Sequence, residues 1–304
     1  MTFCRKSKIE VSTSTYTGCC NLAHLYGILS FAKSFTKDEI VVTALDEEVI
    51  EHILNQFITF GIGKDRIKSS KKDETFLLTI NDKKIVDRIL LDLGYSGDEP
   101  NYRFIERNMQ CDLCRAAFIA GCYLTGGTIT EPSKSYHLEF TTHKYMFYTD
   151  FVLLLEEAGF EPKRAQRKTS TRIIYFKDSS QIEDFLTYVG AYSSAMELMN
   201  EKIYKDVVNH VNRQTNCENA NIDKMLLSSE RDRNDIEYIY SIAGRNYLPE
   251  NLRKIADLRL ENKEFSFTEL GAVCDPILTK SGVSHRLHRI RIIADELREG
   301  LANG

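Results

Sequence analysis

An internal duplication constrains the fold of this chain more than any other feature of its sequence. Residues 21–33 share their pattern with residues 115–127, and the alignment of Gly27 with Gly121 sets the two stretches 94 positions apart. Both stretches are apolar, rich in small residues and typical of a buried helix. Because self-similarity at a fixed offset marks repeated structural units, we expect two copies of one α/β unit.

The elements that follow these helices also correspond in type and order. Each copy continues with a strand, an amphipathic helix that ends at glycine, a second strand and a closing helix. These elements are predicted at 39–43, 49–61, 75–80 and 84–94 in the first copy, and at 136–141, 147–159, 172–176 and 181–190 in the second. The copies therefore span about 20–95 and 114–191. Paired through their first helices, they are expected to join their strands into one curved sheet.

Basic residues recur around the start of the last strand of each copy. They are Lys64, Arg66, Lys68, Lys71 and Lys72 in the first copy, and Lys163, Arg164, Arg167, Lys168 and Arg172 in the second. A run of like charges is usually a solvated loop. Recurrence at equivalent points of a duplicated surface favours contact with the phosphates of a nucleic acid instead. The sequence leaves both interpretations open.

The last third of the chain is predicted to form a second, helical domain. A linker helix at 192–211 leads into an asparagine-rich stretch at 212–224. Asparagine disfavours helix interiors and favours caps and turns, so we place the boundary between the domains 1–215 and 216–304 here, near residue 215. The stretch is either an ordinary polar linker or a packed turn that fixes the placement of the two domains.

The final helix of this domain carries the most informative pattern. Apolar residues at steps of four and three predict one buried stripe, made of Val283, Leu287, Ile290, Ala294 and Leu297. A capping box from Ser266 to Glu269 begins a short helix before it. Between Pro276 and Arg291 stand four Lys or Arg residues and no acidic residue. A short capped helix, a turn and a basic helix are the layout of a helix-turn-helix, here at about 266–299.

The remaining faces of the final helix, and its N-terminal end, hold the predicted DNA contacts. They are Lys280, Ser281, Ser284, His285, Arg286, His288, Arg289 and Arg291. Arginine pairs with guanine or a phosphate, and serine and histidine reach a base edge or a phosphate. A solvated basic face on a terminal helix is the alternative interpretation.

The paired glycine-containing helices resemble the motif helices of the LAGLIDADG homing-endonuclease fold. That resemblance implies that the two helices pack closely and that the strands form a saddle over DNA. On the family motif, Leu124 and Gly126 of the second copy, like Ser30 and Ala32 of the first, stand at the two acidic positions. Metal-assisted cleavage of a phosphodiester needs carboxylates that hold divalent cations. We therefore expect no catalytic residues and no enzyme; a metal-dependent endonuclease is the alternative.

Several stretches together resemble the WhiA family of transcription regulators. They are 121–139, 216–224, 267–271 and 279–290, with Leu248-Pro249 between them. The resemblance implies an α+β fold: a duplicated LAGLIDADG-like α/β saddle domain, then an all-α, sigma-factor-like helix-turn-helix domain. It also implies a sequence-specific regulator of transcription in cell division and chromosome segregation (sporulation in some relatives) that binds double-stranded DNA. Another transcription factor or RNA polymerase is a candidate second partner.

Composition limits the remaining classes of function. The net charge of −4 excludes a uniformly basic coat but permits local basic patches. With no long apolar run and no secretion signal, we expect a cytoplasmic, nucleoid-associated protein without a membrane partner. Among eight cysteines, Cys111 and Cys114 form the only C-x-x-C pair, while Cys19 and Cys20 are adjacent. No second pair lies at zinc-ribbon spacing, so we expect ordinary reduced thiols, no metal and no cofactor.

Overall fold

The computed structural model describes residues 1–97, 102–167 and 170–302. The chain divides into two compact units, Met1–Asp206 and Val207–Gly304. The first combines helices with antiparallel sheets and the second is helical, so the predicted α+β class is confirmed. None of the described helices has the length and the apolar character that a bilayer crossing demands.

The first unit repeats one order of elements. It opens with a helix that the sequence did not predict, α1 (Phe3–Ser12). The first copy consists of α2 (Cys19–Ser30), β1 (Ser34–Phe35), β2 (Ile40–Ala44), α3 (Glu47–Thr59), β3 (Lys68–Lys72), β4 (Thr75–Ile80) and α4 (Lys83–Leu93). The second consists of α5 (Asp112–Gly126), β5 (Gly127–Ile129), β6 (Leu138–Thr142), α6 (Tyr145–Glu157), β7 (Lys163–Arg167), β8 (Thr171–Phe176) and α7 (Ser179–Tyr188). Helix, strands, helix, strands and helix recur as the duplication predicts.

Each copy forms its own four-stranded antiparallel sheet. The strand orders are β1-β2-β4-β3 and β5-β6-β8-β7, so the two sheets share one topology. The duplication is confirmed, whereas the expectation of one continuous curved sheet is wrong for the described residues. β1 and β5 come directly after α2 and α5 and contain only two and three residues. Each pairs with the next strand of its own copy, which keeps the sheets separate.

The basic stretches form edge strands rather than loops. β3 and β7 are the last strands of their sheets, and all of their residues are exposed. Their sequences, KSSKK and KRAQR, lack the apolar alternation by which a half-buried strand is recognised. Charged side chains on an exposed edge also discourage pairing with another chain. These strands hold most of the cations that the sequence assigned to phosphate contact.

The core of the first unit is organised around the packing of α2 against α5. A Cβ atom on Gly27 would lie 2.0 Å from the carbonyl oxygen of Phe118, and one on Gly121 would lie 2.2 Å from that of His24. The contact is reciprocal, because each of these carbonyls lies one helical turn before the facing glycine. Backbone touches backbone, so the expectation that glycine lets the helices approach is confirmed. Apolar side chains of both copies surround the pair in one core.

The second unit contains the end of α8 (Tyr192–Ala243), then α9 (Glu250–Glu261), α10 (Phe267–Ala272) and α11 (Lys280–Ala302). The linker helix, predicted to end at residue 211, instead continues through the asparagine-rich stretch to Ala243. Residues 212–224 contain no glycine or proline, and asparagine costs a helix only some tenths of a kcal/mol. Side chains one turn apart support the helix, since Gln214 Nε2 donates to Glu218 Oε1 at 3.0 Å. A functional boundary near residue 215 stays a prediction.

We expect Gly121→Ala to destabilise the first unit by about 1–3 kcal/mol or more, the usual cost of overpacking. The added methyl group meets backbone, and no flexible side chain can move aside. Gly300→Ala is the matched control, because Gly300 lies in a helix with no atom within 4 Å of its Cβ position; alanine should be neutral or slightly stabilising there. Denaturant unfolding would measure both variants. A Gly121→Ala protein as stable as its parent would contradict the backbone contact.

Candidate nucleic-acid interface

The short helix α10 and the turn after it are held by local hydrogen bonds. The predicted capping box is present: the Ser266 N–H donates to Glu269 Oε2 at 2.8 Å, and the Glu269 N–H donates to Ser266 Oγ at 3.3 Å. The turn folds back on the helix, where the Leu278 N–H donates to the Gly271 carbonyl oxygen at 3.0 Å. A Cβ atom on Gly271 would lie 2.3 Å from the Leu278 carbonyl oxygen. Glycine therefore permits the tight approach that leads into α11.

The buried stripe of α11 fixes which side of the helix turns outward. Val283, Leu287, Ile290 and Ala294 are at most 3% exposed, and Leu297 is partly buried, which confirms the predicted stripe. Six of the predicted contacts are exposed: Lys280, Ser281, Ser284, His285, His288 and Arg289. Arg286 is half-buried. Within the described residues, none of these seven side chains forms a side-chain hydrogen bond or an ion pair, so each is available to a ligand.

Arg291 differs from the other predicted contacts because it binds acidic residues of the same unit. Its Nη2 atom lies 3.1 Å from Asp232 Oδ1, and its Nε atom lies 3.5 Å from Asp235 Oδ2. Asp232 is almost fully buried, and burial raises the pKa of its carboxyl group while the Arg259 and Arg291 guanidinium groups oppose that shift. A buried carboxylate needs such partners. Arg291 therefore fastens α11 to α8, a role that its position in a basic run did not indicate.

The register of the first sheet separates its cations between two faces. Cross-strand partners share a face, and Leu78 and Ile80 of β4 point into the core. Lys68 and Lys72 pair with Thr79 and Thr75, so they lie on the opposite face, here called the open face. Lys71 pairs with Phe76 on the core side, and its Nζ atom lies 4.4 Å from the centre of the Phe76 ring.

The second sheet repeats this division. Lys163 and Arg167 pair with Tyr175 and Thr171 on the open face. Arg164 pairs with the buried Ile174, and its Nη2 atom binds Glu156 Oε1 of α6 at 2.7 Å.

The other saddle cations are engaged within the chain or stand apart from the sheets. Arg172 Nη1 donates to Gln166 Oε1 at 2.9 Å, and its guanidinium lies 4.9 Å from the centre of the Tyr145 ring. Lys64 and Arg66 form a single turn before β3, where Arg66 pairs with Asp65 and Asp82 at 3.2 and 3.1 Å. Lys168 lies outside the described residues. Lys68, Lys72, Lys163 and Arg167 are therefore the open-face cations.

The positions that carry acids in the LAGLIDADG motif are packed against neighbouring side chains or lie beside a lysine. Leu124 is buried, and a Cβ atom on Gly126 would lie 2.2 Å from the Phe31 ring. Ser30 Oγ donates to the Tyr26 carbonyl oxygen at 2.8 Å. Lys144 Nζ donates to the Ser30 carbonyl oxygen at 3.1 Å, and burial lowers the pKa of this ammonium group to about 8. A cation thus stands beside the end of α2.

One group of side chains in the described part of the chain could hold a metal ion, and it lies at the other ends of α2 and α5. The four thiols of Cys19, Cys20, Cys111 and Cys114 lie within 4.8 Å of one another. Hydrogen bonds with Cys20, Cys114 and Cys19 lower the pKa of the Cys111 thiol to about 7, whereas burial and hydrogen bonds raise the pKa of the Cys20 thiol to about 12. The spacing of these residues along the sequence predicts ordinary cysteines, although the offset that aligns Gly27 with Gly121 also aligns Cys20 with Cys114.

Models of known protein families match both units of the chain. Residues 211–294 match the WhiA C-terminal HTH domain, and residues 115–208 match the WhiA LAGLIDADG-like domain. A protein of Ruminiclostridium cellulolyticum named probable cell division protein WhiA is 35% identical over 291 residues, which cover 92% of this chain and 93% of that protein. The chain belongs to the WhiA family. A WhiA relative of the same name from Clostridium botulinum (strain Hall) is 39% identical over 251 residues, covering 80% of this chain and 79% of the relative.

A solved structure supports the same fold over nearly the full length. The full-length DUF199/WhiA from Thermatoga maritima is similar with a TM-score of 0.58 and 25% sequence identity, over 97% of this chain and 99% of that chain. The resemblance to the WhiA family that the sequence motifs carried is therefore confirmed, as is the LAGLIDADG-like domain followed by a helix-turn-helix.

If the open-face cations contact phosphates, replacing Lys163 and Arg167 together with Gln should weaken binding to every DNA sequence. The slope of log affinity against log salt should flatten by about 0.9 for each phosphate that is no longer neutralised. Arg164→Gln with Arg172→Gln is the matched control, since it removes the same charge from the core side of the same sheet. Salt titrations of fluorescence anisotropy would measure the slopes. Equal slopes in all three proteins would mean that the open face is merely solvated.

Proposed function

We propose that this WhiA family member is a sequence-specific, DNA-binding regulator of transcription that acts in cell division and chromosome segregation and does not cleave DNA. The observation that carries the proposal is the outward face of α11, where polar and basic side chains are exposed opposite a buried stripe. The name of the relatives, probable cell division protein WhiA, supports the process. A nucleoid-associated location, and contact with another transcription factor or RNA polymerase, belong to the same proposal.

The first half of α11 has the chemistry to read bases. The major groove of B-DNA admits an α-helix and presents a distinct pattern of donors and acceptors at each base pair. Arg286 and Arg289 offer paired N–H donors that suit guanine, while Ser284 and His285 can reach a base edge or a phosphate. Lys280 lies at the N-terminal end of the helix, where contacts to phosphate set the register of the protein on the duplex.

The proposal assigns different work to the two units. Base reading by α11 supplies specificity, whereas the open-face cations of the saddle would supply affinity that does not depend on sequence and falls with salt. The net charge of −4 is compatible with this division, because the local field at a surface, rather than the net charge, attracts a phosphate backbone.

The absence of cleavage rests on what occupies the motif positions. A divalent ion beside a phosphate needs carboxylate oxygens, and Leu124 and Gly126 offer only apolar groups. At the equivalent end of α2, the ammonium group of Lys144 lies 3.1 Å from the Ser30 carbonyl oxygen. A cation at this place would repel a metal ion. The alternative, a metal-dependent endonuclease, has no support from these positions.

We expect Arg289→Ala, and separately Arg286→Ala, to cost about 1–3 kcal/mol at a cognate site if the residue reads a base, with a smaller effect on random DNA. Arg291→Ala should behave differently, because it removes a partner of the buried Asp232 carboxylate. That variant should lower the free energy of unfolding, and its DNA affinity should be compared only at temperatures where it is folded.

A cognate site is obtained first by mapping the DNA that the protein binds across a genome, then shortened to a duplex for binding assays. Folding of each variant is checked by circular dichroism and thermal unfolding. If Lys280→Ala, His285→Ala and Arg286→Ala all fold and bind the cognate duplex as tightly as the parent protein, α11 is not the recognition helix. An equal decrease of affinity for cognate and random DNA would make the residue a phosphate contact instead.

We expect no cleavage of plasmid or cognate DNA with Mg²⁺ or Mn²⁺, because the motif positions hold no carboxylate. The assay follows conversion of supercoiled plasmid to nicked or linear forms across the fractions of a final purification column. Nicking that co-elutes with the protein and is abolished by EDTA would overturn the proposal in favour of the endonuclease.

A further inference from the structure

Four cysteine thiols meet where α2 and α5 begin. Cys19 and Cys20 are the first two residues of α2, while Cys111 is the cap residue of α5 and Cys114 lies in its first turn. Across the two helices, the Sγ atom of Cys111 lies 3.6 Å from that of Cys19 and 3.5 Å from that of Cys20. We propose that these four cysteines bind one zinc ion as thiolates.

The sulfur positions fit a single tetrahedral ion. Zinc–sulfur bonds of about 2.3 Å place the sulfurs of a tetrahedral site about 3.8 Å apart. The remaining close pairs are Cys20–Cys114 at 3.9 Å and Cys111–Cys114 at 3.5 Å, and all four atoms lie within 4.8 Å of one another. A disulfide would need about 2.0 Å, and all four cysteines are free thiols. The arrangement thus matches metal ligation rather than oxidation.

The donor set selects the metal. Thiolates are soft ligands that favour zinc or iron–sulfur chemistry over magnesium and calcium, and four of them in a tetrahedron are typical of structural zinc. An iron–sulfur cluster distributes its cysteines over several iron atoms, which would spread the sulfurs further than these four lie.

The close packing of the two helices explains why the thiols converge. The reciprocal backbone contact at Gly27 and Gly121 fixes α2 against α5, so residues at one offset face each other along the pair. Cys20 and Cys114 are related by that offset of 94 positions. An adjacent pair from one copy and a C-x-x-C pair from the other thereby complete one site that neither copy contains alone.

The ion would tie together the two copies of the duplicated domain. It would lie at the beginning of each helix, and α2 runs for 12 residues from Cys19 to Ser30, about 16 Å along the axis. The site is therefore distant from the acidic positions of the LAGLIDADG motif. We assign the zinc ion a structural role, with no part in DNA binding. Because such a site forms only in the folded chain, metal binding adds to folding stability.

The first test measures metal in the full chain, purified under reducing conditions without added metal. Elemental analysis should find about one zinc per chain. The double variant Cys111→Ser/Cys114→Ser should lose it, whereas Cys4→Ser/Cys217→Ser, which removes two thiols outside the cluster, should retain it. Zinc at the same level in the Cys111→Ser/Cys114→Ser protein would overturn the proposal.

The second test uses the parent sequence alone, so it holds even if the variant does not fold. Metal-free, reduced protein is titrated with Co²⁺, which should saturate at one equivalent with the strong visible absorption of a tetrahedral thiolate site and then be displaced by Zn²⁺. Zinc should also protect four of the eight cysteines from alkylation, and a chelator should expose those that solvent reaches. No Co²⁺ spectrum, or two disulfides in protein protected from air, would refute the zinc assignment.

Discussion

The backbone contact between α2 and α5 is the constraint on which the first unit depends. Gly27 and Gly121 leave no room for a Cβ atom on either helix, so the distance between the helices is set by main-chain atoms rather than by side chains that could repack. β1 and β5 begin within a few residues of the ends of α2 and α5. The placement of each sheet, and therefore of the open-face cations, follows from this one contact.

The local partners of each cation, rather than the composition of the chain, decide which cations are available to a ligand. Arg164 lies against Glu156, Arg66 against Asp82, and Arg291 against Asp232, so these cations stabilise the fold locally and present little field to a ligand. Lys163 precedes Arg164 directly on β7, and Arg167 follows it three positions later. Both face the open side of the sheet instead. A chain with a net charge of −4 can thereby keep small basic surfaces.

The sequence predicted the features that repeat or are local: the duplicated element order, the stripe from Val283 to Ala294, and the capping box at Ser266. It could not distinguish the cations that pair within the chain from those on the open face, because that distinction depends on strand register and on partners distant in sequence. Asp232 lies 59 positions before Arg291, and KRAQR gives no sign that alternate residues face opposite sides. The linker helix extends past its predicted end for a related reason, since the weak local preferences of asparagine do not stop a helix that lacks glycine and proline.

Pairing of equivalent residues means that any metal site on this helix pair would draw its donors from both copies. A position on α2 near the contact meets its own equivalent on α5, so donors at one offset supply an ion from both copies at once. A carboxylate in one copy only would supply half of the donor set and leave a divalent ion short of ligands. Ser30, Ala32, Leu124 and Gly126 accordingly lack acids together, and Lys144 fills the polar space at Ser30. At the N-terminal ends of α2 and α5, the same pairing places Cys20 beside its equivalent, Cys114. Cys19 and Cys111 lie close to these two residues in sequence, so four thiols meet there.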